Sequence, residues 1–167
     1  MAESQPDSLD GLIQRFWELT QRYAHVGDFD VFLGKSWSQA VPPPTWSFGD
    51  SPELADQALD LVLSGRKTAM TGLYQDYLDQ GEPLPRPGEL SIILDGGGLP
   101  RALVREREVL VVPFGDVTAE MAALEGEGDR SLATWRQAHQ TMWQRPGRPL
   151  DDAAEVVWER FKVLYPA

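Results

Sequence analysis

The sequence contains no cysteine among its 167 residues. Since disulfide bonds, thiolate zinc sites and cysteine nucleophiles all require the thiol, these three kinds of chemistry are excluded. Histidine is scarce as well, with only His25 and His139 present. We therefore expect no histidine-based metal site, and no other pattern in the sequence predicts a metal ion or another cofactor.

Long apolar runs are also missing. No stretch approaches the roughly 20 apolar residues that a membrane-spanning helix needs. The N-terminal Met1–Asp7 segment has neither the basic nor the apolar region of a signal peptide, and we predict that it is disordered. These features predict a cytoplasmic protein without membrane partners.

Basic residues are outnumbered, because 15 lysines and arginines stand against 26 aspartates and glutamates, a formal net charge of -11. An acidic surface repels phosphate backbones and so argues against tight, non-specific binding to long nucleic acid. A local pocket for a nucleoside or a short RNA strand remains compatible with this charge. Arg101, Arg105 and Arg107 alternate in one strand region and could form a small basic patch, although we favour a solvated strand face.

Local patterns predict an α+β fold. Apolar residues at spacings of three and four predict a helix over Ser8–Ala24. Ser51 as N-cap and Pro52 as the first helical residue predict a second helix, which Gly65 ends in a left-handed turn. The other predicted elements are helices over Thr71–Gln80, Thr118–Leu124 and Ser131–Gln144, strands over Leu90–Leu94, Arg101–Val104, Val109–Pro113 and Val156–Leu164, and a hairpin at Asp95–Gly98. The Asp28–Gly34 segment is ambiguous.

Strands separated unevenly by helices, without a regular βαβ alternation, indicate a mixed sheet or a small barrel with peripheral helices. A proline-rich stretch, Val41–Thr45, precedes the main body of the pattern. We therefore divide the chain into an N-terminal helix and proline-rich connector over residues 1–45, packed on the domain, and a main domain over residues 46–167. The oligomeric state is left open.

The segment after Gly65 is the first candidate for chemistry. A sharp turn there presents Arg66, Lys67 and Thr68 beyond the helix. A lysine that is partly withdrawn from water at such a place can act as a base, and Thr68 or Thr71 can supply a hydroxyl. The alternative is that the basic residues only complement the negative end of the helix.

The second candidate is an acidic loop, in which three carboxylates, Glu125, Glu127 and Asp129, alternate with two glycines. The glycines indicate special backbone angles that direct the acids toward a common point. The loop is too short for an EF-hand calcium site, and Asp129 is a candidate N-cap of the next helix. His139 lies on an apolar helix face, where a structural role is the simpler interpretation.

Several sequence blocks, taken in order, resemble the ASCH domain family. They are Trp46-x-Phe48-Gly-Asp50, Gly65-Arg-Lys67-Thr68-Ala69, Pro87-Gly-Glu89, Val112-Pro-Phe114-x-x-Val117 and Glu125-Gly-Glu-Gly-Asp-x-Ser131-Leu-x-x-Trp135-x-x-x-His139. The resemblance implies a PUA-like mixed β-barrel with peripheral helices. It also implies a link to RNA or nucleosides, since small members hydrolyse the amide of N4-acetylcytidine and another type is a metal-independent ribonuclease.

In the amidohydrolase members a lysine, a threonine and a glutamate carry the reaction. The resemblance places their lysine on Lys67 and their glutamate on Glu125, whereas their threonine falls on Met70. Thr68 and Thr71 are the nearby hydroxyls and complete the predicted catalytic set. The predicted substrate contacts are Arg66, Trp46, Phe48, Glu127 and Ser131.

Three functions follow from these observations. The first is a metal-independent amidohydrolase acting on N4-acylated cytidine, which needs only a small pocket and suits the negative charge. The second is an RNA-binding module or ribonuclease, which requires a basic groove. The third is a non-catalytic protein that binds a nucleoside or another ligand, and Met70 is its main support.

Overall fold

The computed structural model describes residues 8–24, 41–144 and 150–166. The Met1–Asp7 and Asp28–Gly34 segments lie outside these residues. The helices are α1 (Leu9–Ala24), α2 (Pro52–Leu63), α3 (Tyr74–Gln80), α4 (Ala119–Leu124) and α5 (Leu132–Trp143), and the strands are β1 (Thr45–Trp46), β2 (Ala69–Leu73), β3 (Leu90–Leu94), β4 (Pro100–Pro113) and β5 (Glu155–Tyr165). No helix in the described ranges is long and apolar enough to cross a membrane.

The five strands form a mixed sheet in the order β1-β3-β4-β5-β2. β1 runs parallel to β3, whereas β3 with β4 and β2 with β5 are antiparallel pairs. The predicted α+β class with a mixed sheet and helices is therefore confirmed. Over the residues described, the sheet is open rather than closed into a barrel, with β1 and β2 as its edges.

The chain divides into two compact units, and the first comprises residues 1–59, 90–105 and 163–167. In this unit α1 buries Trp17 in one apolar cluster with Ile92 of β3 and Leu103 of β4. The predicted hairpin between these strands is present, and Asp95 Oδ1 accepts hydrogen bonds of 2.9 Å from the backbone of Gly97 and Leu99. This glycine-rich segment is thus a closed turn.

The second unit comprises residues 60–89 and 106–162. Its core is aromatic, because Phe114, Trp135 of α5 and Trp143 of α5 have ring centroids between 5.4 and 6.5 Å apart. Aromatic side chains bury a large area each, so three of them give a small unit a substantial core. This core supports one side of α5 and thereby fixes the position of the residues discussed below.

The helix predicted over Thr71–Gln80 is wrong in its first part. Ala69–Leu73 forms β2, which pairs with Val156–Arg160 of β5, and the helix α3 begins only at Tyr74. The strand arises because long-range pairing with β5 overrides a local pattern that contains no strong turn signal. The predicted strands Arg101–Val104 and Val109–Pro113 are parts of one continuous strand, β4.

Candidate functional site

The end of α2 has the geometry that its sequence predicts. Gly65 has a positive φ of 75°, and the amide nitrogens of Arg66 and Lys67 both lie 2.9 Å from the carbonyl oxygen of Leu61. Such a left-handed turn satisfies the last carbonyl groups of a helix and reverses the chain. The chain therefore turns immediately before Lys67.

Lys67 is buried, with 2% of its surface exposed, and two glutamates surround its ammonium group. Lys67 Nζ lies 2.8 Å from Glu127 Oε1, 3.7 Å from Glu125 Oε2 and 3.3 Å from the Glu125 carbonyl oxygen. A buried lysine requires such partners, because an isolated charge in a protein interior is very costly. Lys67 therefore belongs to an ion-pair cluster and does not simply complement the α2 terminus.

Glu125 is the centre of this cluster and is equally buried at 2% exposure. Its Oε1 accepts hydrogen bonds from the Thr71 hydroxyl and, over 2.8 Å, from Trp135 Nε1. Its Oε2 faces Lys67 Nζ and lies 3.6 Å from His139 Nε2. The two oxygens thus have different partners, with the neutral donors of Thr71 and Trp135 at Oε1 and the side-chain nitrogens of Lys67 and His139 near Oε2.

His139 is held in one tautomer by the backbone. Its Nδ1 lies 2.9 Å from the carbonyl oxygen of Trp135. Because a carbonyl oxygen can only accept, Nδ1 carries a proton and Nε2 is the nitrogen that faces Glu125. The His139 ring also stacks on the Trp135 ring at a centroid distance of 4.1 Å, so its orientation is fixed from two sides.

The acidic loop is attached to the segment that carries Lys67. Gly126 has a φ of 73°, and a Cβ at this position would overlap the carbonyl oxygen of Arg66 and lie 2.9 Å from the Lys67 nitrogen. Arg66 Nη2 donates a 2.7 Å hydrogen bond to the Gly128 carbonyl oxygen. The glycines of the loop therefore permit a close backbone approach that places Glu125 and Glu127 beside Lys67.

Met70 and Thr71, which carries the candidate hydroxyl, are neighbours in strand β2. Successive side chains of a strand point to opposite faces, so Thr71 and Met70 lie on different sides of the sheet. Thr71 is the residue that meets Glu125, whereas Met70 lies opposite Glu159 in the register with β5. A hydroxyl is therefore present beside the glutamate, one position further along the chain than the resemblance implies.

Not every predicted site residue belongs to the cluster. The Thr68 hydroxyl lies 3.4 Å from the carbonyl oxygen of Leu124 and so bonds to the backbone. Ser131, and not Asp129 as predicted, is the N-cap of α5, since its hydroxyl accepts a 3.1 Å hydrogen bond from the Thr134 nitrogen. The Asp129 carboxylate instead accepts a 2.9 Å bond from the Ser131 nitrogen.

Trp46 and Phe48 belong to the first unit, where their rings meet edge to face at a centroid distance of 4.7 Å. Phe48 also lines a cavity of about 300 Å³ together with Asp50 and Gly96. The predicted substrate contact of these two aromatic residues stays a prediction.

The predicted solvated face of strand arginines is wrong at one position. Arg105 is buried at 7% exposure and donates a hydrogen bond to the carbonyl oxygen of Ala24. Arg101 forms a 3.1 Å ion pair with Asp95, while Arg107 is exposed. The physical reason is that β4 is covered on the side of Arg105, so the three arginines form no continuous basic patch.

The fold and the Lys67–Glu125 cluster define a small α+β domain with a mixed sheet and a buried ionic site. The family model for the ASCH domain matches residues 44–165, so the chain belongs to the ASCH domain family. An ASCH domain structure from Lactobacillus crispatus is 28% identical, with a TM-score of 0.74 over 92% of this chain and 96% of that chain. A structure from Enterococcus faecalis, described as DUF984, is 28% identical, with a TM-score of 0.73 over 91% and 87% of the two chains. No curated protein matches the chain.

The resemblance noted in the sequence is confirmed at the level of the family. Sequence reasoning found Lys67 and Glu125 but missed the parts of Trp135 and His139 in the same cluster. The available signal was their spacing of four residues, because residues four apart lie on the same face of a helix. The helix that carries them follows the acidic loop that contains Glu125.

Proposed function

We propose that the protein is a metal-independent amidohydrolase that releases acyl groups from N4-acylated cytidine. The observation that carries this proposal is the convergence of an ammonium group, a carboxylate and a hydroxyl, from Lys67, Glu125 and Thr71, in one buried cluster. A nucleophile next to a base, with a positive charge close to both, is the arrangement that acyl transfer requires. Membership in the ASCH family supports the substrate class only through the resemblance stated above.

In the first step the Thr71 hydroxyl oxygen attacks the acyl carbon, and its proton passes to Glu125 Oε1, which already accepts its hydrogen bond. A carbon–oxygen bond forms and the carbonyl electron pair moves to oxygen. The resulting oxyanion is stabilised by the Lys67 ammonium group, which lies 3.7 Å from Glu125 Oε2. Glu125 thus takes the proton, a role that the sequence had assigned to Lys67.

In the second step the carbon–nitrogen bond breaks, and Glu125 returns the proton to the exocyclic nitrogen as cytidine leaves. The acyl group then remains as an ester of Thr71. A water molecule then attacks this ester while its proton passes to Glu125. The bond between the acyl carbon and the Thr71 oxygen breaks, Glu125 returns the proton to the Thr71 oxygen, and the carboxylic acid leaves, so that the enzyme is restored. Trp135 holds Glu125 in place throughout by its hydrogen bond to Oε1 and is not required to change its charge.

Access to the cluster depends on Glu127. Its side chain is 46% exposed, whereas the Lys67 and Glu125 side chains are 2% and 3% exposed. Displacement of the Glu127 carboxylate from Lys67 would open the ammonium group to a ligand without any change in the buried Glu125. We therefore assign Glu127 to the entrance of the site, and Arg66 to its rim.

The test is chromatographic. The purified protein is incubated with N4-acetylcytidine, and the release of cytidine is compared for the parent, Thr71→Val, Glu125→Gln and the control Glu120→Gln, which changes an exposed glutamate on α4. We expect release by the parent and by the control, and a loss of at least 100-fold in the other two variants. If folded parent protein releases no cytidine, the substrate assignment is wrong and ligand binding without catalysis becomes the better account.

A further inference from the structure

A second group of ionisable side chains lies in the same unit, on Tyr77 of α3, Glu106 of β4 and Glu159 of β5. Glu106 and Glu159 are buried, at 6% and 5% exposure. The Tyr77 hydroxyl donates a 2.8 Å hydrogen bond to Glu159 Oε1. Glu106 Oε2 is buried and has no hydrogen-bond partner among the residues that the structure describes. A buried acceptor without a donor is costly, which makes this oxygen exceptional.

The cluster lies on the face of β2 that carries Met70, which is opposite to the face that carries Thr71. Met70 lies opposite Glu159 in the strand register, so the two side chains share a face of the sheet. Gly72 lies on the same face, and a Cβ there would lie 3.4 Å from the Tyr77 ring. The missing side chain at Gly72 therefore allows the Tyr77 ring to lie across the strand and reach Glu159.

The charges that raise the pKa of Glu106 are both negative. Burial, together with the carboxylates of Glu159 and Glu89, raises the pKa of Glu106 to about 8. Burial likewise raises the pKa of Glu159 to about 7, against the opposing effect of the Tyr77 hydrogen bond. Burial and the charges of Glu159, Glu106 and Glu82 raise the pKa of Tyr77. This group of residues thus contributes several acids and no positive charge.

We propose that the Tyr77–Glu106–Glu159 cluster is a binding site for an organic cation that carries N–H donors, namely a guanidinium or primary ammonium group. The cation would neutralise the repulsion between the two glutamates and donate a hydrogen bond to Glu106 Oε2. The half-buried Tyr77 ring provides an aromatic surface of the kind that attracts such cations. Met70, on the same face of the sheet, is half-buried, and Glu89, whose charge acts on Glu106, is exposed. This proposal does not depend on the hydrolytic activity.

The experiment is a calorimetric titration with methylguanidinium chloride at pH 8 and constant ionic strength. Tetramethylammonium is the matched probe, because it has the same charge but no N–H donor. We expect saturable binding of methylguanidinium and at least tenfold weaker binding of tetramethylammonium. The Glu106→Gln/Glu159→Gln variant should bind methylguanidinium at least tenfold more weakly, while Glu108→Gln, an exposed control on β4, should bind it as the parent does.

The same titration tests proton linkage. Since bound cation favours ionised carboxylates, binding should release protons at pH 7 and should tighten at least tenfold between pH 6 and pH 8. Absence of saturable binding, equal binding of the two probes, or unchanged binding by the double variant would each overturn the proposal. Glutamine resembles the protonated acid in shape, so the double variant should fold; Tyr77→Phe provides a second variant, with weaker binding expected, if it does not.

Discussion

Trp135 Nε1 donates a 2.8 Å hydrogen bond to Glu125 Oε1, the same oxygen that accepts the Thr71 hydroxyl. Two donors on one oxygen leave Oε2 for Lys67 and His139, so the plane of the carboxylate is determined by its neighbours. The proposed catalytic role of Glu125 requires such support, because small errors in the orientation of a catalytic group reduce the reaction rate strongly.

Replacing Trp135 by phenylalanine should destabilise the protein by about 1–3 kcal/mol more than the same replacement at Trp143. Both changes shrink an aromatic ring in the same core, but only Trp135 donates to Glu125 and leaves a buried carboxylate with one donor fewer. Urea unfolding of the two variants measures the difference. Equal losses would mean that the indole hydrogen bond contributes nothing to stability.

Lys67→Met should destabilise the fold by about 3–5 kcal/mol, because it leaves Glu125 buried without its cation. The Lys67→Met/Glu125→Gln variant should lose less than the sum of the two single changes, with a coupling of about 0.5–3 kcal/mol. Equilibrium unfolding of the parent, both single variants and the double variant gives this coupling directly. Strict additivity would show that the two residues do not interact in solution.

The position of the hydroxyl can be tested by moving it. Thr71→Val keeps the shape of the side chain and removes the hydroxyl that donates to Glu125, so the turnover of N4-acetylcytidine should fall at least 100-fold. Adding Met70→Thr to this variant should restore no turnover, because residue 70 points to the other face of β2. Recovery of activity in the double variant would show that residue 70 reaches the substrate.

Gly126→Ala should destabilise the protein by about 2 kcal/mol or more beyond the cost of Gly81→Ala. Both glycines have a left-handed backbone conformation, with φ values of 73° and 66°. A residue with a side chain costs about 1–2 kcal/mol in this conformation, so both variants carry this cost. Only at Gly126 does the new methyl group collide with the backbone of Arg66, whereas nothing described lies within 4 Å of it at Gly81. Thermal and urea unfolding of both variants provide the comparison.

Stability should decrease as pH rises from about 5 to 9. The pKa of Glu106 is raised from an ordinary 4.5 to about 8, so the folded protein holds this proton where the unfolded chain has lost it. Between these two pH values the folded state therefore binds more protons than the unfolded state. The stability that this proton contributes is fully present below pH 4.5 and is lost above pH 8. The Glu106→Gln variant should lose about 1–4 kcal/mol less over this range than the control Glu108→Gln, as measured by urea unfolding at several pH values. Parallel pH profiles of the two variants would contradict the raised pKa of Glu106.

Short-range signals predicted all the helices except the start of α3 well. Ser51, Pro52 and Gly65 marked the ends of α2 because caps and left-handed turns depend on neighbouring residues only. Strand β2 was missed, since nothing within Ala69–Leu73 shows that its partner lies in β5, about 90 residues later. Tertiary pairing, and not local preference, decided that segment.

The same error limited the prediction of the site. Lys67 and Glu125 were found through their motifs, but the choice among Thr68, Met70 and Thr71 depends on which face of β2 each residue occupies. A segment interpreted as a helix gives no such information. His139 was interpreted as structural from its apolar neighbours, while its approach to Glu125 depends on the path of the intervening loop. The family resemblance identified the family, and the strand alternation shows which hydroxyl lies beside Glu125.

The contact of Gly126 with the Arg66 backbone also has a kinetic consequence. Because the acidic loop lies directly against the chain that carries Lys67, the loop cannot lift away without breaking the packing that holds the lysine. In the proposed function, the half-exposed Glu127 side chain is then the part that moves when a ligand enters. Exposed side chains change rotamer within picoseconds to nanoseconds, whereas loops move in nanoseconds to microseconds. Ligand capture at Lys67 is therefore expected to be limited by diffusion to the site, and not by a slow opening step.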